Sequence, residues 1–252
     1  MTVEYKNSEL MAVCVARGLK DGDIVLVGVG LPYVGAVLAQ CSHAPNLYTL
    51  AELGCFQAMP VDTSVGPADP RSWYGATRFS GFMDTVGFIV HGGRCDAGML
   101  GAAEIDQYGN MNSTQVYVNG NVKHINGSGG ANDTASNAKK TIAVQKHEKR
   151  KLRTEIDYIT SPGHLKGGNS KTEIGIKGGG LALLVTDKAV FQPEEGTNRM
   201  ILKSVHPGVD REKLKDETGF EIDVTGVPET PIPTTEEIRL IREVVDPNRI
   251  YT

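Results

Sequence analysis

A chain of 252 residues with 40% hydrophobic content is long enough for one sizeable domain, and nothing in its composition points to disorder. A net charge of −4 offers no basic surface to replace phosphate counterions, so nucleic-acid binding is not expected. The longest apolar stretches, Ile24 to Val29 and Leu181 to Val185, fall far below the ~20 residues of a membrane helix, which excludes a helical membrane span.

Met1 to Asn7 carries Glu4 and Lys6 with no uninterrupted apolar core behind them, so no secretion signal is read and a cytoplasmic location is expected. Cys14, Cys41, Cys55 and Cys95 lie far apart without CxxC spacing, against both a metal ribbon and a disulfide framework. His43, His91, His124, His147, His164 and His206 show neither HxH nor HExxH spacing, and no metal is expected.

In chain order, Ser8 with Glu9, then Leu10, Met11, Val13, Cys14, Val15 and Leu19, predicts a capped amphipathic helix ended by Gly18 and the turn Lys20-Asp21-Gly22-Asp23. Ile24-Val25-Leu26-Val27 is apolar throughout, the pattern of a strand buried on both faces of a mainly parallel sheet. Gly28-Val29-Gly30-Leu31-Pro32 breaks it, and Tyr33 to Gln40 predicts a helix packed back on that strand. Leu47 to Leu50, Val86 to Val90 and Thr141 to Val144 read as further short strands, giving an α/β architecture.

Pro60 to Arg78, rich in proline and glycine, predicts an extended loop of the kind that is functional or contacts another subunit. Ser161 to Gly180 predicts a flexible, glycine-rich loop, mobile or ordered by a partner. Leu181 to Val185 and Ala189 to Phe191 form a hairpin turning at Asp187, and Thr234 or Thr235 with Glu237 caps a last short helix, Glu236 to Val245, stopped by Asp246-Pro247. No internal repeat is present, and residues 1–252 are taken as one domain.

Glu52 follows a strand end and precedes Gly54 by two positions. Residues leaving the carboxyl ends of strands in open α/β sheets face the crevice where ligands bind, although a turn glutamate satisfies the same position. Asn126-Gly127-Ser128-Gly129-Gly130-Ala131-Asn132 could bring backbone amides close to a phosphate or a tetrahedral oxyanion, or be a turn for geometric reasons alone. Gly28, Gly30 and Gly35 depart from GxGxxG because the last gap is four residues, so no nicotinamide cofactor is expected. Glu104 and Asp106, with Asn110 beyond, are paired carboxylates on a strand end, yet no neighbouring histidine completes a metal set and a structural turn is the simpler reading. The basic run Lys146, His147, Lys149, Arg150, Lys151 and Arg153 reads as a solvated face or as a phosphate-recognising patch.

Several blocks in one order carry a more specific signal. They include Val27-Gly28-Val29-Gly30-Leu31-Pro32, His43-Ala44-Pro45-Asn46, Glu52 with Gly54, Asp106-Gln107-Tyr108-Gly109-Asn110-Met111-Asn112-Ser113-Thr114 and Gly127-Ser128-Gly129-Gly130-Ala131-Asn132. His147-Glu148-Lys149-Arg150, Ile156-Asp157-Tyr158-Ile159-Thr160-Ser161-Pro162-Gly163, Val185-Thr186-Asp187-Lys188 and Thr218-Gly219-Phe220 continue the series. Nearly end to end, this resembles the β subunits of family I CoA-transferases of the glutaconate CoA-transferase type.

The resemblance implies the family's NagB/RpiA-like α/β fold, with an open mainly parallel sheet flanked by helices and a C-terminal hairpin and short helix. It implies that Glu52 is the nucleophile forming a glutamyl-CoA thioester, and that Gly129, Gly130, Ala131 and Asn132 serve as oxyanion donors and CoA contacts. Gly30, Leu31, Leu53, Gly54 and Cys55 are then candidate pocket-lining residues. Coenzyme A is implied as a substrate rather than a bound cofactor, exchanged between acyl-CoA and a carboxylic acid. A separate α subunit is implied as the partner, in a heterotetramer or larger assembly. Leu53 stands where the family often has a small polar residue, which bears on pocket shape. Relatives that hydrolyse carbon–carbon bonds in CoA esters or decarboxylate glutaconyl-CoA-type substrates are alternatives, as is a non-catalytic assembly subunit.

Overall fold

The computed structural model describes residues 3–58, 66 and 69–252. They form two compact units, one built from the described residues within 1–99 and from 231–252, the other from residues 100–230.

The first unit opens with helix α1, Asn7–Arg17, in which every residue from Glu9 to Ala16 is buried. Its start lies before Ser8: Lys6 flanks the helix and its amide donates to the Glu9 carboxylate at 2.8 Å, so Ser8 falls inside the first turn rather than capping it. Gly18 closes it, as expected. Strand β1, Ile24–Leu26, leads into helix α2, Leu31–Cys41, which has proline in its first turn where a missing N–H costs nothing. The two helices cross at Gly35, where an added Cβ would stand 2.5 Å from the Val15 side chain and 3.0 Å from the Ala12 carbonyl. Only a residue without a side chain allows backbones this close.

Strand β2, Tyr48–Ala51, pairs parallel with β1 in the register Ile24 to Tyr48 and Leu26 to Leu50. Strands β3, Cys55–Phe56, and β4, Arg78–Phe79, continue outward antiparallel. On the other side of β1 runs parallel strand β5, Ala97–Gly101, at which the chain leaves this unit. The order is therefore β5-β1-β2-β3-β4, parallel inside and antiparallel at the edge.

Val86 to Val90, predicted as a strand, is instead helical over Met83–Val90, in a wide turn with His91 N bonded to Val86 O at 3.0 Å. A short apolar run satisfies either periodicity. Here Val86 and Val90, four apart, are buried while Phe88 between them is exposed, which is the helical pattern.

In the second unit the strands β6, Glu104–Asp106, and β7, Met111–Asn112, pair antiparallel, and β8, Gln115–Val118, makes a hairpin with β9, Asn121–His124. Helix α3, Ala131–Asn137, precedes β10, Thr141–Gln145. Strand β11, Leu152–Arg153, adds to β6 in parallel. After a short helix α4, Ser170–Glu173, come β12, Leu181–Thr186, β13, Ala189–Pro193, and β14, Met200–Val205, in the order β14-β13-β12-β10. The β10 and β12 pairing is parallel; the hairpin turning at Asp187 is as predicted. Helix α5, Arg211–Glu217, packs Leu214 into a core built around Phe191, Leu184, Ile105 and Leu152.

Residues 161–180, predicted as a flexible loop, are tied into this unit. Asn110 Oδ1 accepts from the amides of Gly163 and Leu165, His164 Nε2 meets the Leu181 carbonyl at 3.1 Å, and the Ser170 hydroxyl donates to Gly167 O at 2.7 Å. The glycines serve tight passage: a Cβ on Gly163 would lie 2.2 Å from the Gly109 carbonyl, and one on Gly179 1.8 Å from the Lys139 carbonyl.

The chain then returns to the first unit as helix α6, Thr235–Leu240, which runs on in a wide turn over Ile241–Val245. Its capping box is the one expected: Glu237 N donates to Thr234 Oγ1 at 3.1 Å and Thr234 N to Glu237 Oε2 at 2.7 Å. No helix among the described residues is long and apolar enough to cross a membrane.

Candidate active site around Glu52

Strand β2 ends at Ala51, and Glu52 is the next residue, at the head of the turn to β3. Two contacts fix the backbone there. Gly54 N donates to Ala51 O at 3.0 Å, and the fully buried Thr85 donates its hydroxyl to the Glu52 carbonyl at 2.7 Å. Gly54 takes a φ of +104°, and a Cβ on it would stand 2.0 Å from the Ser80 carbonyl, so this turn needs glycine.

Glu52 lines a cavity of about 190 Å³ formed within the first unit. Val27, Gly28 and Val29 at the end of β1 make one wall, Tyr33, Ala36 and Val37 of α2 a second, and Leu50 with Cys55 a third. Gly28 lets the chain pass Met99, whose carbonyl would lie 2.7 Å from an added Cβ. Outside the lining, Gln57 is held at a φ of +49°, an uncommon conformation for a residue with a side chain, and bonds to two residues that do line it. Its Oε1 accepts from Thr49 N at 2.8 Å and Thr49 Oγ1 at 3.1 Å, and lies 3.4 Å from Gln40 Nε2. Burial pushes the Cys55 thiol up, so it sits in the wall as a neutral group.

Of the suggested pocket residues, Cys55 lines this cavity; Gly30, Leu31, Leu53 and Gly54 lie outside its lining. Gly30, at a φ of +91°, sets the entry of α2, whose first residue is Leu31, and Leu53 is exposed in the turn. Tyr33, Gln40, Thr49, Gln57, Ser72 and Thr85 escaped the reading of the sequence. Thr49 had a signal, lying three residues before Glu52 on the strand that leads to it, whereas Thr85 is 33 residues away and had none. Part of the predicted 60–78 loop lies outside the described residues; of the rest, Pro70–Ser72 forms a single helical turn and Ser72 lines the cavity.

The second unit holds the other candidates. Gly129, at a φ of +49°, and Gly130 lead into α3. The Ala131 amide donates to Ser128 O at 3.0 Å, the Asn132 amide to Ser128 Oγ at 3.3 Å and the Asn132 side chain to Thr160 O at 2.8 Å. Those three donors are engaged, which narrows the oxyanion assignment within this segment.

Glu104 is paired with Arg153 and accepts from the Asn112 side chain at 2.7 Å and the Asp157 amide at 3.1 Å. Asp106 accepts from Tyr108 N at 2.8 Å and from both the amide and side chain of Asn110. Asp106 thus stabilises its own turn, whereas Glu104 ties β6 to β7 and to the segment around Arg153 and Asp157. The basic run divides too: Lys146 and Arg150 flank Glu148, Arg153 belongs to Glu104 and Asp157, and His147 is buried between the hydroxyls of Thr186 and Thr218, each 3.0 Å from a ring nitrogen. Among the described residues no cluster of histidine, cysteine and carboxylate side chains is arranged to hold a metal.

Comparison with known proteins gives this geometry a family. The chain is 36% identical to the B-type subunit of glutaconate CoA-transferase from Acidaminococcus fermentans, over 98% of this chain and 95% of that one. The crystal structure of the Acidaminococcus fermentans glutaconate coenzyme A-transferase superposes with a TM-score of 0.91 at 35% identity, covering 98% of this chain and 97% of the other. The chain is also 34% identical to the B-type subunit of 3-oxoadipate CoA-transferase from Pseudomonas knackmussii, over 94% and 92%, and 26% identical to the cholesterol ring-cleaving hydrolase IpdB subunit of Mycobacterium tuberculosis, over 97% and 96%. The coenzyme A transferase family pattern matches residues 8–217, and the chain belongs to that family.

Proposed function

We propose that this chain is the β-type subunit of an acyl-CoA:carboxylate CoA-transferase, with Glu52 as the nucleophile and a separate α subunit as its partner. The observation that carries the reading is the placement of Glu52: a carboxylate on a rigid turn at the carboxyl end of a parallel strand, lining a cavity built on the same unit. The partner follows from relatives that are themselves one of two kinds of subunit.

Glutamate carboxylate is a weak nucleophile in water, but holding it against a thioester carbonyl can be worth ~7–11 kcal/mol. Attack of Glu52 on an acyl-CoA expels CoA thiolate and leaves a mixed anhydride. The thiolate then attacks the glutamyl carbonyl, releasing the first carboxylate and leaving Glu52 as a CoA thioester. The second carboxylate attacks that thioester, and the same two steps in reverse return a new acyl-CoA and free Glu52. One thioester is present at the start and one at the end, so no ATP is consumed. Each tetrahedral intermediate needs an oxyanion donor; within the glycine segment we assign that role to the Gly129 amide, and CoA contact to Gly129, Gly130, Ala131 and Asn132.

The test is mass spectrometry of the assembled complex after incubation with acyl-CoA and no acceptor. A hydroxylamine-sensitive CoA adduct on Glu52, absent from Glu52→Gln, is the expected result. Turnover that survives Glu52→Gln points to hydrolysis or decarboxylation instead. A chain that assembles but leaves exchange unaffected by any change at Glu52 is an assembly subunit.

A further inference from the structure

The cavity beside Glu52 has a chemical character that the nucleophile does not dictate. Resting on the transferase reading, we infer that it receives the uncharged, apolar tail of a monocarboxylic acyl group. Its walls are hydrocarbon: Val27, Ala36, Val37 and Leu50, with the neutral Cys55 thiol among them. Besides Glu52, the polar side chains that reach it are all uncharged: Tyr33, Gln40, Thr49 and Ser72. Thr49 and Gln40 turn to Gln57, and the Ser72 hydroxyl is bonded to Gly66 O at 3.3 Å.

Charge is the deciding feature. Among the described lining residues there is no lysine, arginine or histidine, and the sequence from 59 to 68 contains none. Arg71 is the cation nearest to the lining in sequence, and its guanidinium is held by Asp69, with Nη2 2.6 Å and Nε 3.0 Å from carboxylate oxygens. A second substrate carboxylate placed here would be stripped of water with no counter-ion and with Glu52 as a like charge, a condition that buried ions do not tolerate. At about 190 Å³ the space is somewhat larger than an apolar cavity of ~150 Å³ that accepts benzene, so it suits a chain of roughly four to six carbons.

The experiment compares substrates of equal length on the complex with its partner subunit. CoA exchange is measured from hexanoyl-CoA and adipyl-CoA, and binding of hexanoate and adipate to the Glu52→Gln complex is measured by titration calorimetry. Exchange is expected to favour hexanoyl-CoA at least a hundredfold in kcat/KM, and hexanoate to bind at least tenfold more tightly. Val29 is 39% exposed at the cavity wall, so Val29→Arg places a cation there with little burial and is expected to narrow both ratios about tenfold. Ala58→Arg, at another partly exposed wall position, takes its place if Val29→Arg does not assemble.

Adipyl-CoA used as well as hexanoyl-CoA by the wild-type complex overturns the inference, as does a ratio unmoved by the added cation. Absence of exchange from every acyl-CoA, with hexanoate still preferred in binding, refutes the transferase reading and leaves the cavity's preference standing. Absence of both exchange and preference overturns both.

Discussion

Gly54 shows how a single residue fixes the candidate nucleophile. Its positive φ and its approach to the Ser80 carbonyl are both closed to alanine, and such strain costs on the order of 1–3 kcal/mol before any clash is counted. Gly54→Ala is therefore expected to lower stability by about 2 kcal/mol or more in urea unfolding, and to reduce exchange further because the turn carrying Glu52 must shift. Stability equal to wild type would show that the turn relaxes freely. Thr85 is the subtler case. Thr85→Val keeps the shape of a fully buried side chain but removes the donor to the Glu52 carbonyl, a hydrogen bond worth about 1 kcal/mol. Exchange falling about tenfold while the adduct still forms on Glu52 is the expected outcome; unchanged exchange would make the contact incidental. The place of Glu52 just after a strand was legible, but position alone does not separate a nucleophile from a turn glutamate, and its proposed role comes from the family resemblance. Thr85 and Gln57 were not legible, since each acts through a contact that only the folded chain creates.

Among the elements, those with strong local signals were read correctly and those without were not. The β1-turn-α2 unit declared itself through an unbroken apolar run followed by glycine and proline, and α6 through its Thr234 and Glu237 capping box. Met83–Val90 did not, because a run as short as Val86 to Val90 carries no period, and the burial of Val86 and Val90 together is a tertiary fact. In residues 161–180, whose glycines predict a loop that is mobile or ordered by a partner, Gly163 and Gly179 also let backbone pass backbone. The α1 and α2 crossing makes this measurable. Gly35→Ala adds a methyl group where Val15 stands 2.5 Å away, so the helices must separate despite alanine's better helix propensity. A net loss of about 1–3 kcal/mol in chemical unfolding is expected; a gain would mean that Val15 rotates clear and that propensity wins.

Across the whole molecule the two units differ in how they store pH sensitivity. The buried histidines His147, His164 and His206 all belong to residues 100–230. Burial pushes His147 down from 6.5 to about 4, with Lys188 adding to the effect and Asp187 and Glu217 opposing it; burial lowers His164 and His206 as well. A histidine kept neutral in the folded state takes up its proton only after unfolding, so its contribution is full above about pH 6.5 and is lost as pH falls toward 4. At roughly 1.4 kcal/mol per unit the His147 shift amounts to about 3 kcal/mol. In residues 1–99 and 231–252 the sensitive groups are carboxylates. Burial alone would raise Glu9 and Glu237, but the guanidiniums of Arg242 and Arg17 and the capping amides bring both below 4.5, so their contributions persist until the pH drops under that value. The second unit should therefore lose protection first on mild acidification. Hydrogen exchange at pH 7.5 and pH 5, corrected for intrinsic rates, is expected to show protection falling in peptides from 100–230 while those from β1, α1 and α2 hold. His147→Gln, which retains a hydrogen bond to one of the two threonines, should be less stable at pH 7.5 yet lose less between pH 7.5 and 5 than the wild type. Equal loss in both units, or an undiminished pH response in His147→Gln, would show that the acid sensitivity lies elsewhere.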